Sequence, residues 1–457
     1  MSPLSETSQL LTQGGDVRIE TTPPYHKNPY GCAPFPDPEL LDFGSCTASV
    51  VSSEGFAAAE ALRQKLLARN GGTTLSHAMA DEAHRIRQEL AHLCGLSGMP
   101  DIRIILAPSG TDAHRVAAQH LYPAESEPLI VMAEPAESGS GVPAALATGH
   151  RGHVISVNVR EPDGQPRAAS AMDAEVTSLT LSALAAERPV LIVLTDVSKS
   201  GLIAPSPGCI AQLHQHAPER ITVLVDACQF RLSSATLRAY LDCGFAVTLT
   251  GSKFVGGPSF SGALLIPSVL AARLHGALAP ETRSMGPLLR WEAALQSLRQ
   301  FRNLPEDRVH GFLGRFAGAI IRYIAQHPQL ESLPVAPLTR QPVAADNTWD
   351  AIQTIFPFLL YHQNSRGWRP LTREGTLKIF QRLPEGPPAA LRGRLGQPVL
   401  CGNRHGIPVS ALRLCVSART IIAALQNGEE GEKAVIREAR AVLDKAAALA
   451  ATEIPTD

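Results

Sequence analysis

Short apolar runs alternate with helical patterns through the middle of this chain. The runs predict buried strands at residues 102–107, 129–133, 153–159, 189–197, 221–225, 245–250 and 262–266. Helical patterns lie between several of them, for example over residues 112–121. Strands that are apolar throughout and are separated by helices favour a mostly parallel sheet covered on both faces. The pattern therefore predicts an α/β fold.

The pattern differs at both ends of the chain. Residues 1 to about 45 are rich in Pro, Gly and Asp, which predicts an extended arm and not a core element. Residues 54–69 and 77–93 predict helices, and residues 309–327 predict a long helix that is followed by Pro-broken strands and helices. The last stretch predicts a helix with one apolar face, formed by Val435, Ala439, Val442, Ala446 and Leu449.

These boundaries divide the chain into three parts. We expect an N-terminal arm over residues 1–50, a large α/β domain over 51–305 and a smaller α+β domain over 306–457. The first helices of the large domain could also pack on the small one. With 457 residues and 44% hydrophobic residues, the chain can form two domains with substantial cores.

Composition narrows the classes of function. A formal net charge of -1 and the lack of a strongly basic segment argue against a nucleic-acid partner. No apolar run reaches the ~20 residues of a membrane helix. The eight cysteines form no CxxC pair and the histidines show no metal-binding spacing, so neither a metal site nor a disulfide framework is expected. The N-terminal sequence predicts no signal peptide, and we expect a cytoplasmic protein.

The most informative chemistry lies at the ends of two predicted strands. Strand 221–225 delivers Asp226 at its carboxyl end, and strand 245–250 delivers Lys253 just beyond its own end. Because the carboxyl ends of parallel strands share one edge of a sheet, the acid and the lysine can hold a ring-shaped cofactor between them. Gln229 follows the acid closely, and Lys253 stands among Thr, Ser and Gly residues.

This arrangement resembles the pyridoxal phosphate (PLP) enzymes of the aspartate-aminotransferase fold, fold type I, and most of all the class V aminotransferases and cysteine desulfurases. In that family an aspartate pairs with the pyridine nitrogen and a lysine holds PLP as a Schiff base. The matching residues are Asp226 and Lys253. The carboxylate keeps the ring protonated as an electron sink, and the lysine can later move the proton. The resemblance also implies that Gln229 contacts the ring hydroxyl and that Thr250 and Ser252 meet the phosphate.

Ser109, Gly110 and Thr111 lie at a predicted turn from strand to helix. Free backbone N–H groups and the helix dipole make such a turn an anion site, and Gly110 permits close approach of the backbone. The resemblance implies that this turn binds the PLP phosphate, whereas the alternative is a simple helix cap. The segment 283–286 resembles a family segment that reaches the phosphate from a partner subunit, although Met285 interrupts the motif. The resemblance therefore implies a homodimer.

The substrate end of the site is predicted less directly. Residues 410–420 are strand-like and resemble the family strand whose arginine binds the substrate carboxylate, which implies that role for Arg413. The alternative is a surface arginine, and Arg419 is a second possibility. Residues 195–205 resemble a family loop that often carries an asparagine, where this chain has Ser198 and Lys199.

Two further positions bear on the reaction. Desulfurases carry a histidine over the PLP ring, but the matching stretch here, residues 133–141, has no histidine or aromatic residue. Glu134 or Glu137 could lie near the ring instead. Cys401 lies in a Gly-rich stretch in the region where desulfurases carry a nucleophilic cysteine, and the alternative is an ordinary loop residue.

The resemblance implies a PLP enzyme that acts at the α-carbon of an amino acid or a related amine. Transamination is the first expectation, because it requires only the lysine and the electron sink. A lyase that cleaves a carbon–sulfur or other bond is the second, and a specialised biosynthetic reaction that forms a carbon–carbon bond is a further alternative. A PLP-dependent sensor without catalysis fits less well, because Lys253 and Asp226 are both present.

Overall fold

The computed structural model describes residues 6–22, 27–44, 49–68, 74–276, 284–365, 367–387 and 390–453. The helices are α1 (Thr7–Leu10), α2 (Ser53–Ala68), α3 (Leu75–Leu93), α4 (Gly110–Leu121), α5 (Val142–Leu146), α6 (Ala169–Ala185), α7 (Pro207–His216), α8 (Ser234–Asp242), α9 (Ser268–Ala271), α10 (Gly286–Arg302), α11 (Glu306–Gln326), α12 (Arg373–Arg382), α13 (Ala418–Gln426) and α14 (Gly428–Thr452). The strands are β1 (Leu40–Phe43), β2 (Arg103–Ala107), β3 (Leu129–Ala133), β4 (His153–Val157), β5 (Val190–Asp196), β6 (Ile203–Ala204), β7 (Ile221–Ala227), β8 (Ala246–Thr250), β9 (Gly262–Ile266), β10 (Leu330–Ser332), β11 (Ile355–Asn364), β12 (Gly367–Pro370), β13 (Arg392–Arg404) and β14 (Ile407–Cys415).

The larger sheet has the strand order β2-β9-β8-β7-β5-β3-β4, with the short strand β6 paired to β5. Strands β4, β3, β5, β7 and β8 run parallel, and β9 is antiparallel to both of its neighbours. Alternate residues of β5 belong to two separate apolar clusters: Ile192 packs on one face and Val193 on the other. The predicted α/β architecture with a mostly parallel, doubly covered sheet is confirmed.

The second sheet has the order β1-β13-β14-β11-β10, with β12 paired to β11. Its strand pairs are antiparallel except β1 with β13. Helix α14 buries the predicted apolar face from Val435 to Ala446. A smaller α+β unit after the large sheet is therefore confirmed, whereas the boundary between residues 305 and 306 stays a prediction.

Two local expectations were wrong. The arm does contribute to a core, because Leu40 and Phe43 are buried in β1, which runs parallel to β13. The strand predicted over residues 410–420 ends at Cys415, because Ser417 and Thr420 form a capping box that begins α13. Arg419 therefore lies on a helix.

The sheet brings its functional residues to one edge. In the parallel register, Asp226 of β7 lies beside Thr195 of β5 and Thr248 of β8. The carboxyl ends of these strands consequently open into the same crevice, where ligands bind in open α/β sheets. Over the described ranges, no helix is both long and apolar enough to cross a lipid bilayer.

Candidate active site

A cavity of about 220 Å³ lies at the carboxyl ends of the parallel strands. Most of the site residues predicted from the sequence line this one cavity: Ser109, Gly110, Thr111, Asp226, Thr250, Ser252 and Lys253. They come from the β2–α4 turn, from the end of β7 and from the end of β8. The fold therefore brings together three segments that are far apart in the sequence.

The β2–α4 turn both caps the helix and faces the cavity. Ser109 Oγ accepts a hydrogen bond from Asp112 N at 3.1 Å and donates one to Asp112 Oδ2 at 2.7 Å. A Cβ atom on Gly110 would lie 2.7 Å from Cys228 Sγ and 2.9 Å from Thr250 Cγ2, so only glycine permits this close approach. The predicted cap and the predicted anion site are thus compatible, and the N-terminus of α4 opens toward the cavity.

Asp226 has a buried neighbour that the sequence did not indicate. His114 Nε2 lies 3.6 Å from Asp226 Oδ2, and His114 Nδ1 lies 2.7 Å from Gly110 O. A carbonyl oxygen only accepts, so Nδ1 carries a proton and Nε2 can donate toward Asp226 only in the imidazolium form. Within the described residues, buried Nε2 makes no hydrogen bond. The sequence offered one indication of this position: His114 follows Gly110 by four residues, which places it next to the turn on a helix.

Two hydrogen bonds and one ring contact hold the segment around Lys253. Thr250 Oγ1 donates to Cys228 O at 2.6 Å, and Phe254 N donates to Gln229 O at 3.3 Å. The Phe254 ring stacks on Trp349 with centroids 5.1 Å apart. Gln229 is buried but does not belong to the cavity lining, so its predicted contact with a ring hydroxyl stays a prediction.

The loop after β5 adds a second lysine to the cavity. Lys199 Nζ donates to Pro135 O and to Ala136 O, each at 3.0 Å. Burial, together with the nearby charges of Arg413 and Lys253, lowers the pKa of Lys199 to about 8. The sequence showed only that a lysine replaces the family asparagine at this position.

Glu134 and Glu137, which could have lain near a bound ring, instead hold the main chain. Glu134 Oε1 accepts from Val159 N at 3.0 Å. Glu137 accepts from Arg160 Nε at 3.0 Å and from Ser198 Oγ at 2.8 Å. Neither carboxylate lines the cavity.

The wall that was expected to carry a stacking residue consists of Ser138, Gly139, Ser140, Gly141 and Val142. Two aromatic side chains reach the cavity from elsewhere: Tyr30 from the N-terminal arm and Phe260 from the segment before β9. The arm also supplies Arg18. Sequence reasoning missed all three, and it missed Tyr30 and Arg18 because it treated the arm as a segment outside the core.

Arg413 lies just behind the cavity. Its side chain is buried in β14, where Nε donates to Gln397 O at 3.0 Å and Nη1 donates to Lys199 O at 3.1 Å. Gln397 and Lys199 line the cavity, but Arg413 itself does not. Its predicted contact with a substrate carboxylate therefore stays a prediction. Arg419 does not line this cavity either, and its Nη1 donates to Val50 O at 2.7 Å.

Cys401 lies in a different environment from the one that a nucleophilic cysteine of a desulfurase would require, and residues 283–286 are only partly described. Cys401 is buried within β13 and not exposed on a loop, and burial raises the pKa of its thiol to about 11. A thiol held neutral in this way is a poor nucleophile. Arg283 lies outside the described residues. At the other end of its segment, a Cβ on Gly286 would meet Gln13 O and Leu10 O of the same chain.

Comparisons with known proteins agree with this architecture. The cystine C–S lyase C-DES, in complex with its product cysteine persulfide, has 16% sequence identity and a TM-score of 0.58, with 88% of this chain and 97% of that chain covered. A cysteine desulfurase from Thermococcus onnurineus NA1 has 13% identity and a TM-score of 0.55, with 89% and 95% covered. A subgroup IV aspartate aminotransferase from Thermus thermophilus has 13% identity and a TM-score of 0.52, with 89% and 99% covered. No protein-family model and no curated protein matches the sequence.

These likenesses confirm that the chain has the fold of the fold type I PLP-dependent enzymes, which the C–S lyase, the cysteine desulfurase and the aspartate aminotransferase share. At such low identity they show the fold alone. The chemistry depends on the residues of the cavity.

Proposed function

We propose that this protein is a PLP-dependent enzyme that acts at the α-carbon of an amino acid or a related amine and carries its cofactor on Lys253. One observation carries the proposal: a single cavity holds Lys253, Asp226 and the Ser109–Thr111 turn. These residues fit the cofactor. The turn offers backbone amides to a phosphate, and Asp226 offers a carboxylate to a ring nitrogen.

When bound, PLP supplies an electron-withdrawing ring that stabilises negative charge at the α-carbon. In the proposal, Ser109, Gly110, Thr111, Thr250 and Ser252 hold the phosphate, and Gln229 contacts the ring hydroxyl. Asp226 would accept a hydrogen bond from the ring nitrogen and keep that nitrogen protonated. Lys253 Nζ would hold the cofactor covalently, and its amine would move the α-proton of the bound substrate. Arg413 orients the substrate carboxylate.

Transamination is the reaction that we propose first, because it needs no group beyond those named. The burial of Cys401 favours it over a desulfurase reaction that would use this thiol as the sulfur acceptor. A lyase is the second candidate, and the similarity to the fold of C-DES favours it. The two differ in one requirement: transamination stops after one turnover without an added keto acid, whereas a lyase continues and releases ammonia.

We further propose that the enzyme is a homodimer, on the support of the segment 283–286 and its likeness to a phosphate-binding segment of a partner subunit. Sedimentation equilibrium at several protein concentrations tests this directly. A monomer that binds PLP and turns over substrate would contradict it.

The decisive experiment for the cofactor is spectroscopic. Purified protein is mixed with PLP and its absorbance is recorded before and after borohydride, which fixes a lysine-bound cofactor to its peptide. We expect the label on the peptide that contains Lys253, loss of that label in Lys253→Ala, and an unchanged label in the control Lys445→Ala. Lys445 lies on α14 and donates to Leu383 O at 2.8 Å.

A panel of amino acids then tests the reaction, with and without an added keto acid. An amino acid that shifts the absorbance of the wild-type band identifies a substrate. A protein that stays colourless with excess PLP, or a label that appears equally in Lys253→Ala, overturns the proposed function.

A further inference from the structure

Lys199 is a second amine in the cavity that already contains Lys253. It lies in the loop after β5, and its Nζ contacts the two carbonyl groups of Pro135 and Ala136. These carbonyls belong to the loop after β3, and residues 133–141 of that loop include no histidine or aromatic residue. The lysine thus enters the cavity beside a wall of small residues.

The main chain of Lys199 is held on both sides. Lys199 N donates to Glu137 O at 2.8 Å, and Lys199 O accepts from Arg413 Nη1 at 3.1 Å. The neighbouring residues are bound to the Glu137 carboxylate, which accepts from Ser198 Oγ at 2.8 Å and from Ser200 N at 2.9 Å. A loop tied at consecutive residues positions the side chain of its central lysine with little freedom.

Among the described residues, the hydrogen bonds of Lys199 Nζ leave one direction of the nitrogen unused. A tetrahedral amine nitrogen has four directions, of which Cε takes one and the carbonyls of Pro135 and Ala136 take two. The fourth carries a proton in the ammonium and a lone pair in the neutral amine. Both forms keep both hydrogen bonds, so the gain or loss of that proton breaks none of them.

The charges around Lys199 favour proton exchange near neutral pH. Burial has the largest effect, and Arg413 and Lys253 add to it, whereas Glu137 and Asp226 oppose it. Glu137 raises the pKa of Lys199 only weakly, because its carboxylate is already paired with Arg160.

The other titratable or charged side chains on the cavity wall are Arg18, Tyr30, His114 and Cys228. A group whose pKa is lowered to about 8 can act as an acid and as a base at physiological pH.

Resting on the proposed function, we propose that Lys199 Nζ is a second proton-transfer group of this site and acts beside Lys253. In the lyase form of the reaction, the bond from the β-carbon to its leaving atom breaks, that atom keeps the electron pair, and the Lys199 ammonium gives it a proton. The Nζ–H bond breaks as the new bond to hydrogen forms, and the neutral amine that remains regains a proton from solvent. The site would then perform two proton transfers with two separate amines.

The first test needs no substrate. PLP-loaded protein is labelled with trace acetic anhydride at pH 6 to 11, and the label on each lysine is measured by mass spectrometry. We expect Lys199 labelling to rise half-maximally near pH 8. Labelling of Lys433 should rise at a much higher pH, because Glu429 and Glu430 raise the pKa of that lysine. If Lys199 titrates together with Lys433, the proposal is overturned.

The second test compares Lys199→Met and Lys199→Arg with the control Lys445→Met, which also removes a lysine bound to main-chain carbonyls. All three should bind PLP on Lys253, as borohydride labelling will show. With the L-amino acid that the wild type converts fastest, we expect kcat to fall by roughly a hundredfold in both Lys199 variants. Arginine keeps the charge but cannot give up its proton.

The pH profile separates proton transfer from a structural role. Wild-type kcat should decrease as the pH rises through about 8, because the ammonium form is the acid, and this decrease should be absent in both Lys199 variants. A rise in KM with unchanged kcat, or an unchanged profile in Lys199→Met, overturns the proposal. Absence of PLP binding by the wild type would instead overturn the proposed function, and the two failures are therefore distinguishable.

Discussion

His114 Nε2 lies 3.6 Å from Asp226 Oδ2, and both side chains are buried. The other ring nitrogen of His114 is occupied by Gly110 O at 2.7 Å, which fixes the orientation of the imidazole. Gly110 belongs to the proposed phosphate turn. One histidine therefore lies between the two ends of the proposed cofactor site and is hydrogen-bonded to one of them.

We expect His114→Phe to weaken PLP binding by about fivefold, because the hydrogen bond from His114 Nδ1 to Gly110 O in the proposed phosphate turn is lost and such a bond contributes about 1 kcal/mol. Phenylalanine fills a similar volume but cannot donate to Gly110 O. The measurement is an absorbance titration of cofactor-free protein with PLP. His120→Phe is the matched control, since His120 lies on the same helix and bonds His275 O. Equal affinities of the wild type and His114→Phe for PLP would contradict a role of His114 in holding the cofactor site.

Gly110→Ala should lower the free energy of unfolding by about 1–3 kcal/mol and weaken PLP binding as well. The added Cβ would lie 2.7 Å from Cys228 Sγ and 2.9 Å from Thr250 Cγ2, so the turn must move. Gly314→Ala is the control: it lies within α11 with open space around it, and alanine there should stabilise by about 0.5–1 kcal/mol. Urea unfolding measures both changes in the free energy of unfolding. If the two variants change it in the same direction, the prediction is wrong.

The strand ends were predictable because buried parallel strands consist of uninterrupted apolar residues. That pattern alone placed Asp226 and Lys253 at one edge of the sheet. The Ser109–Thr111 turn was predictable for a similar reason, since it joins a strand to a helix with a marked cap. These features depend on local periodicity and on one rule of topology.

The rest of the site depends on contacts that sequence spacing does not encode. Tyr30 and Arg18 belong to the arm and line the cavity, and nothing in a Pro-rich segment indicates where it folds back. Arg413 was assigned to the right strand, but its guanidinium is held by Gln397 O, which no motif predicted. Cys401 was expected on a loop, because its glycines obscured the β13 pairing with β14.

A buried ion pair joins the segment before β11 to the end of β5. Arg340 Nε lies 2.7 Å from Asp196 Oδ2, and Tyr240 Oη donates to the same oxygen at 2.7 Å. We expect Arg340→Met to cost about 3–5 kcal/mol, because it leaves a buried carboxylate without its cation. Arg315→Met removes an exposed pair with Glu432 and should cost no more than about 1 kcal/mol. Urea unfolding at pH 7 compares them, and similar losses would show that the buried pair is not the cause.

The stability contribution of Glu137 should depend on pH in a defined direction. Burial raises the pKa of this carboxyl, but Arg160, Ser200 and Ser198 together outweigh burial, so its pKa in the folded protein is lowered. A group with a lowered pKa contributes stability that is fully present above its unfolded pKa of about 4.3 and is lost as the pH falls through the folded value.

The experiment is to measure the free energy of unfolding of the wild type and of Glu137→Gln between pH 3 and pH 7. We expect a difference of about 3 kcal/mol or more at pH 7, since the variant leaves Arg160 buried without its anion. The difference should be constant above about pH 5.5 and shrink below about pH 4.3. Glu161→Gln, an exposed neighbour, should stay within about 0.5 kcal/mol of wild type throughout. A difference that grows on acidification would mean that Glu137 is protonated in the folded protein. The loop that carries Lys199 would then not be held by a charged carboxylate.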